Sequence, residues 1–296
     1  MMSKIIVLNE PCYRTGGVES IYQFVDAINA AGGDGYVYFK SPYNGDPIPD
    51  EYKKYNVKVI SNLEDVGDNL IVVPEVWTGE LSNIKNAKKA VWWLSVDNNN
   101  KSFTDFSNAD ILHLYQSEYA KDFLEKNGVA NMLPVHDYIV VLDFKPTTKQ
   151  NIICYNPLKG ERATNYVRSK CGSLTFKPLI NMSKEEIVQS LINSKIYIDF
   201  GHHPGRDRIP REAAHYNNIV ITSCLGSAKF YEDVPIPDRY KLRELTPSIE
   251  ATLTEVLQNY DTLISDFTNY KNTISNQKAI QLEEAKQLLE YLRVKK

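Results

Sequence analysis

The chain has 296 residues, 43% of them hydrophobic and 24% charged. That length suits two modest domains with ordinary apolar cores. With 34 basic and 37 acidic residues the net charge is −3, a balance that gives no electrostatic footprint for nucleic acid but is compatible with a local basic pocket for a phosphorylated ligand. The first ten residues lack the pattern of a signal peptide. No stretch approaches the roughly 20 apolar residues needed to span a bilayer. Cys12, Cys154, Cys171 and Cys224 show no paired short spacing, which argues against a zinc site or a disulfide framework and for reduced thiols. The expectation is a cytoplasmic chain, with peripheral attachment to an inner membrane left open.

Ile5 to Leu8 is an apolar run of the kind found in a buried parallel strand. A loop from Asn9 to Gly17 leads into a helical pattern, Val18 to Ala31, with Ile21, Phe24, Val25 and Ile28 on one face and Gly32-Gly33 as the stop. Further strands are expected at 36–39, 57–60, 70–73, 90–94 and 111–115. A second series runs through strands at 152–155, 174–177, 196–200 and 219–222, with helices at 161–170, 183–193 and 210–216 between them. Ser183 and Glu186 have the spacing of a capping box. Alternating strand and helix argue an α/β chain with two doubly wound, Rossmann-like domains facing each other across a cleft. The expected boundaries are 1–145, 146–274 and a C-terminal helix over 275–296, whose apolar positions Ile280, Leu288, Leu289 and Leu292 pack on the body.

In open α/β sheets ligands bind beyond the carboxyl ends of the strands. Arg14-Thr15-Gly16-Gly17 stands at such a position; Gly16 and Gly17 either admit a ligand to the backbone or only form a tight turn. The pattern is not G-x-G-x-x-G, which argues against a dinucleotide enzyme. Glu75 and Asp97 each follow a strand. Either is a candidate base towards an acceptor hydroxyl, or Glu75 caps a helix and Asp97 holds a turn over Asn98 to Asn100. Adjacent Trp92 and Trp93 face opposite sides of a strand and read as core.

In the second series, Asn156-Pro157-Leu158-Lys159-Gly160 puts a lysine and a glycine at a helix start, suited to a phosphate or simply solvated. The richest segment runs from Gly201 to Ala213. Arg206, Arg208 and Arg211 converge near a helix start, as a diphosphate site or as a surface ion-pair cluster. Pro210 suits the first turn of that helix, and Glu212, placed in the same turn, is positioned to accept ribose hydroxyls. His202 and His203 invite a metal reading, but no partner ligands at suitable spacing accompany them, so no metal is expected. Gly226-Ser227 forms another strand-to-helix turn, a second cradle for phosphate oxygens.

Together these residues resemble the carboxy-terminal domain of GT-B glycosyltransferases of the glycogen-synthase-like, retaining superfamily. Leu174 to Ser227 carries the resemblance best, with Asn156 to Gly160 before it; Gly16-Gly17 and Gln116-Ser117-Glu118-Tyr119 resemble features of that family's amino-terminal half. The run Asp207 to Ala214 also resembles a subgroup among polysaccharide-biosynthesis proteins.

The resemblance implies a metal-independent enzyme with no cofactor beyond its co-substrate, a nucleotide-diphosphate sugar. Its acceptor would be a glycan, a lipid-linked saccharide or a protein. Lys159 would contact the diphosphate, Glu212 the ribose, and Gly226 and Ser227 the phosphate oxygens through their backbone. Asp97 stands near where the family often has a histidine touching the sugar. Two positions depart from the family pattern. Eight residues before Glu212, where the family has a first glutamate, stands Pro204. The arginine that usually precedes the lysine is missing, Cys154-Tyr155-Asn156 standing there, a charge that Arg206 or Arg208 would supply. These departures leave open the stereochemical outcome, and with it a rival reading as a catalytically silent nucleotide-sugar-binding or partner protein. An epimerase or phosphorylase on the same scaffold is a further alternative.

Overall fold

A computed structural model describes residues 3–99, 103–145 and 147–294. Its elements are β1 (Lys4–Asn9), α1 (Gly16–Ala30), β2 (Asp34–Phe39), β3 (Lys58–Ile60), β4 (Leu70–Pro74), β5 (Lys88–Trp93), β6 (Ile111–Tyr115), α2 (Glu118–Lys126) and β7 (Met132–Pro134). There follow β8 (Gln150–Tyr155), α3 (Glu161–Lys170), β9 (Thr175–Pro178), α4 (Lys184–Asn193), β10 (Ser194–Asp199), α5 (Arg208–His215) and β11 (Ile219–Ser223). The chain ends with β12 (Lys241–Leu242), α6 (Ile249–Gln258), α7 (Tyr260–Leu263) and α8 (Thr268–Val294).

Two parallel sheets result. The first has the order β3-β2-β1-β4-β5-β6-β7 and the second β12-β11-β10-β8-β9. Parallel strands covered on both faces need unbroken apolar runs, and β4 is buried at all five positions. Trp92 and Trp93 are fully buried, as expected. Trp92 packs on Phe24 and donates to the carbonyl of Val135 at 3.0 Å, whereas Trp93 donates to Nδ1 of His113 at 3.0 Å and stacks on Phe106.

The connections of the first unit differ from the expected alternation. Only α1 and α2 are α-helices between its strands among the described residues; the other links carry 3-10 turns over Asp50–Tyr52, Glu75–Asn83 and Val96–Asn99, or, between β3 and β4, a loop. The carboxylate of Asp65 holds the return into β5 by accepting from the backbone N–H of Lys85, Asn86 and Ala87.

By its own contacts the chain divides into Met1–Tyr138 with Asn276–Lys296, and Ile139–Ser275. The first boundary therefore falls at Tyr138 rather than at 145, and the expected boundary residue Pro146 lies outside the described residues. Gln23 Nε2 donates to the carbonyl of Tyr138 at 2.9 Å, so the segment after β7 still belongs to the first sheet. From Leu142, whose N–H donates to the Tyr216 hydroxyl at 2.8 Å, it belongs to the second. The tail is not a separate element: Glu284 and Gln281 bind the backbone of His136, and Tyr291 donates to Asn131 at 2.6 Å. No helix among the described residues is long and apolar enough to cross a membrane.

Candidate active site

Each sheet has a point where the strand order reverses, and each reversal gathers predicted site residues. In the first unit it lies between β1 and β4. A cleft of about 570 Å³ opens there, lined by Asn9, Tyr13, Gly17, Glu75, Trp77 and Ser95 among others. Thr15 accepts from the N–H of Val18 and caps α1. Beside Gly17 the space is open, with nothing within 4 Å of where a Cβ would stand. Glu75 is 3% exposed. It does not cap a helix by its side chain; instead Oε2 accepts from the N–H of Leu94 at 3.0 Å and Oε1 from that of Ser95 at 3.1 Å, tying the end of β4 to the end of β5. Burial pushes its carboxyl up to about 7 against the opposing pull of those N–H groups. Asp97 is exposed in the turn Val96–Asn99 and accepts from the Tyr119 hydroxyl at 3.2 Å. It is not among the residues lining the cleft, although Ser95 and Asn98 on either side of it are. Asn100, the end of the expected turn, lies outside the described residues.

In the second unit the reversal lies between β8 and β10. Here three loops press together through glycine. A Cβ on Gly160, at φ +60°, would stand 2.5 Å from the backbone N of Gly201, and one on Gly226, at φ +62°, would stand 2.0 Å from the carbonyl oxygen of His203. Only glycine fits either place. Asn156 accepts from the N–H of Leu158 at 3.0 Å and shapes the turn that presents Lys159, whose ammonium is paired with Asp207. The α3 and α5 N-termini follow these loops, and neither carries a side-chain cap. Thr15, Ser117 and Ser183 cap α1, α2 and α4, the last with the expected capping box, whereas α6 and α7, away from these loops, also lack a side-chain cap. Two helix ends without a side-chain cap, beside a lysine, have the chemistry that suits an anion.

The predicted donor residues fall into two groups. Lys159 and Arg208 are half-buried, and Arg208 opens α5. Arg206 is 9% exposed. Arg211 needs correcting as a diphosphate contact: it is 1% exposed, its Nη2 donates to the carbonyl of Arg206 at 2.7 Å and its Nε to that of Asp207 at 3.1 Å. It braces the loop from within. Ser227 needs the same correction, since its hydroxyl donates to the carbonyl of Gly205 at 2.6 Å and its N–H to that of His203 at 2.9 Å. Glu212 is half-buried, but α5 begins at Arg208, so Pro210 is its third residue and Glu212 its fifth. Proline is tolerated throughout a first turn because those N–H groups have no intrahelical acceptor, which is why the start came out two residues late. Glu212 thereby loses most of the dipole interaction expected of a first-turn carboxylate.

Reading residues singly missed Asp199, His203 and Asp207. His203 is wholly buried, with Nε2 3.4 Å from Asp199 and Nδ1 3.6 Å from Asp207. Asp199 also accepts from the N–H of Gly201 at 3.0 Å and from the Tyr197 hydroxyl at 3.2 Å. Burial alone would raise its carboxyl; the neighbouring His203, the charge of Lys159 and the N–H of Gly201 together outweigh that and hold it down. The three side chains are near enough for a metal, but Asp207 already holds Lys159 and Asp199 is committed to the loop, so the arrangement reads as a brace. His202 beside it is exposed. The signal was a D-x3-H-x3-D spacing across a strand end.

No family model matches the sequence, and no curated protein matches it. Solved structures do match. A TarM variant from S. aureus, in complex with Fondaparinux, alpha-GlcNAc-glycerol and UDP, superposes with a TM-score of 0.71 at 10% identity, over 97% of this chain and 100% of that one. HepE from Anabaena, in complex with UDP and glucose, gives 0.68 at 11% identity, over 99% and 100%. Sucrose-phosphate synthase from Thermosynechococcus elongatus gives 0.67 at 12% identity, over 99% and 100%. These are GT-B glycosyltransferases, and the chain has their fold, two parallel-sheet α/β units in one chain.

Proposed function

We propose that this chain is a glycosyltransferase that moves a sugar from a nucleotide-diphosphate donor to a hydroxyl of a glycan, a lipid-linked saccharide or a protein. The observation that carries the proposal is the pair of uncapped helix N-termini at the reversal point of the second sheet, with Lys159 between them. In that reading Lys159, Arg206, Arg208 and the first turns of α3 and α5 take the diphosphate. Gly226 lets the loop after β11 close on it, and Glu212 takes the ribose. Charge grows on the leaving diphosphate in the transition state, so donors fixed beforehand by Arg211, Ser227 and His203 supply much of the rate. The cleft of the first unit takes the acceptor, with Glu75 as the candidate base, supported by its place in that cleft; Asp97 is the weaker candidate, being outside the lining.

Titration with UDP and ADP, which neighbours of this fold bind, tests the donor site. Lys159→Ala should weaken binding by about 1.5–3 kcal/mol, the worth of a hydrogen bond to a charged group. Equal affinity in parent and variant would misplace the diphosphate. The reading also calls for metal independence, because lysine, arginine and helix ends stand where a cation would otherwise neutralise the leaving group. Activity on UDP-glucose or another nucleotide sugar should therefore persist in excess EDTA. Loss that manganese or magnesium restores would count against it.

One observation favours a second reading, a silent nucleotide-sugar binder: Pro204 stands where the resembling family has its first glutamate. Binding of a nucleotide sugar, without hydrolysis or transfer across a panel of acceptors, would decide for it.

A further inference from the structure

Aspartate just before a helix is among the best N-caps, because its carboxylate accepts from the first N–H groups. Asp207 stands at that place before α5 and does not cap. Its side chain turns instead to the loop after β8, where Oδ2 pairs with the Lys159 ammonium. The pair keeps 31% of the lysine side chain and 17% of the aspartate side chain exposed, so a ligand from solvent can reach both. Among the described residues Lys159 makes no other ion pair. The carboxylate thus holds the two attractions that a phosphate would use here, the lysine charge and the positive end of α5.

A second observation concerns where this carboxylate could go. The same Oδ2 lies 3.6 Å from Nδ1 of His203, beyond hydrogen-bond reach, and that buried nitrogen has no hydrogen-bond partner. A buried polar atom left in this state costs stability. On the other side of the ring, Nε2 faces Asp199 at 3.4 Å, and Asp199 is fixed by the Gly201 N–H and the Tyr197 hydroxyl. One carboxylate beside His203 is therefore committed to the loop, and the other is shared with a lysine. The base of that lysine is pinned, since a Cβ on Gly201 would stand 3.0 Å from the Cβ of Lys159. What can swing is its flexible stem.

We propose that Asp207 is a specificity-determining residue, an anion built into the donor site that holds Lys159 until the phosphates of a nucleotide displace it. The released carboxylate then accepts from Nδ1 of His203. This rests on the reading of these loops as a diphosphate site. Its consequence is selection by phosphate: a nucleoside leaves the pair as it stands, and only a ligand with charge enough to win Lys159 from a neighbouring carboxylate opens it.

The test is calorimetric titration of UDP and of uridine into the full chain, Asp207→Asn, Lys159→Ala and the double variant. Asp207→Asn should bind UDP about five-fold or more tightly than the parent, its lysine being free beforehand, and should bind uridine as the parent does. In the Lys159→Ala background the same substitution should gain about two-fold or less, with no lysine left to release. Asp207→Ser, whose hydroxyl can cap α5, gives the same reading where the amide variant does not fold. UDP affinity in Asp207→Asn equal to or below the parental value overturns the inference, being the result for a plain brace or for a direct contact with the ligand. An equal gain with and without Lys159 also overturns it. Both of those results leave the donor site standing, whereas no UDP binding by any of these proteins removes the donor site and the inference together.

Discussion

Gly226→Ala is expected to destabilise the protein by about 2–5 kcal/mol, combining a left-handed backbone for a residue with a Cβ and an overpacked contact. The contact is with main chain: the new methyl would stand 2.0 Å from the oxygen and 2.8 Å from the carbon of the His203 carbonyl. No side-chain rotation relieves it. The loops after β10 and β11 must part, which breaks the bond from the Ser227 N–H to His203 and the bridge between His203 and Gly226. Donor binding should fall with stability, because the same loops shape the anion site. Chemical denaturation of Gly226→Ala beside Gly17→Ala measures this, Gly17 having open space where its Cβ would be. Matching midpoints for the two variants would show that the loops yield freely and do not brace the site.

That glycine shows what the sequence does and does not reveal. Gly226 was legible as a turn before a helix, but its packing partner lies 23 residues away in the chain and leaves no local trace. The strands were the easiest part: Ile5 to Leu8 and Leu70 to Val73 are unbroken apolar runs because both faces of their sheet are covered. β7 and β12 were missed, being three and two residues long, too short for any periodicity. The two series were expected to join around Asp137 to Gln150, with the boundary set at 145; the change of unit comes at Tyr138, inside that joining segment, where the partner of Gln23 holds it to the first sheet. Of the candidate site, Lys159 and Gly160 were legible because a lysine before a helix start announces itself. Asp199, His203 and Asp207 were not, because a four-residue spacing outside a helix carries no expectation of contact until the loop is seen. Arg211 and Arg208 look alike in sequence; only burial separates the one that braces from the one that is half-exposed.

Glu75 carries the second large effect, and it is a dependence on pH. Its carboxyl titrates at about 7 in the folded chain against an ordinary 4.5. Between those values the folded chain holds a proton that the unfolded chain has released, so stability must fall as pH rises through the interval. The contribution is whole below about 4.5 and gone above about 7, and a shift of this size corresponds to about 3 kcal/mol. Glu75→Gln stays neutral throughout. Its amide turns one N–H pair towards the N–H of Leu94 or Ser95, which costs stability, but by an amount that does not change with pH. The parent should therefore lose about 3 kcal/mol relative to the variant between about pH 5 and about pH 8, read from denaturation of both proteins at each pH. A difference that stays constant would mean that Glu75 is already ionised in the folded chain at the lower pH, satisfied by the two N–H groups it accepts from. Activity separates the roles further. A carboxylate that takes the acceptor proton works only when ionised, so transfer should rise through about pH 7 while stability falls through the same interval. Glu75→Gln should then lose transfer and keep nucleotide binding. If the variant transfers sugar at the parental rate with the same pH profile, Glu75 only ties β4 to β5, and the base must be sought elsewhere, with Asp97 next in line.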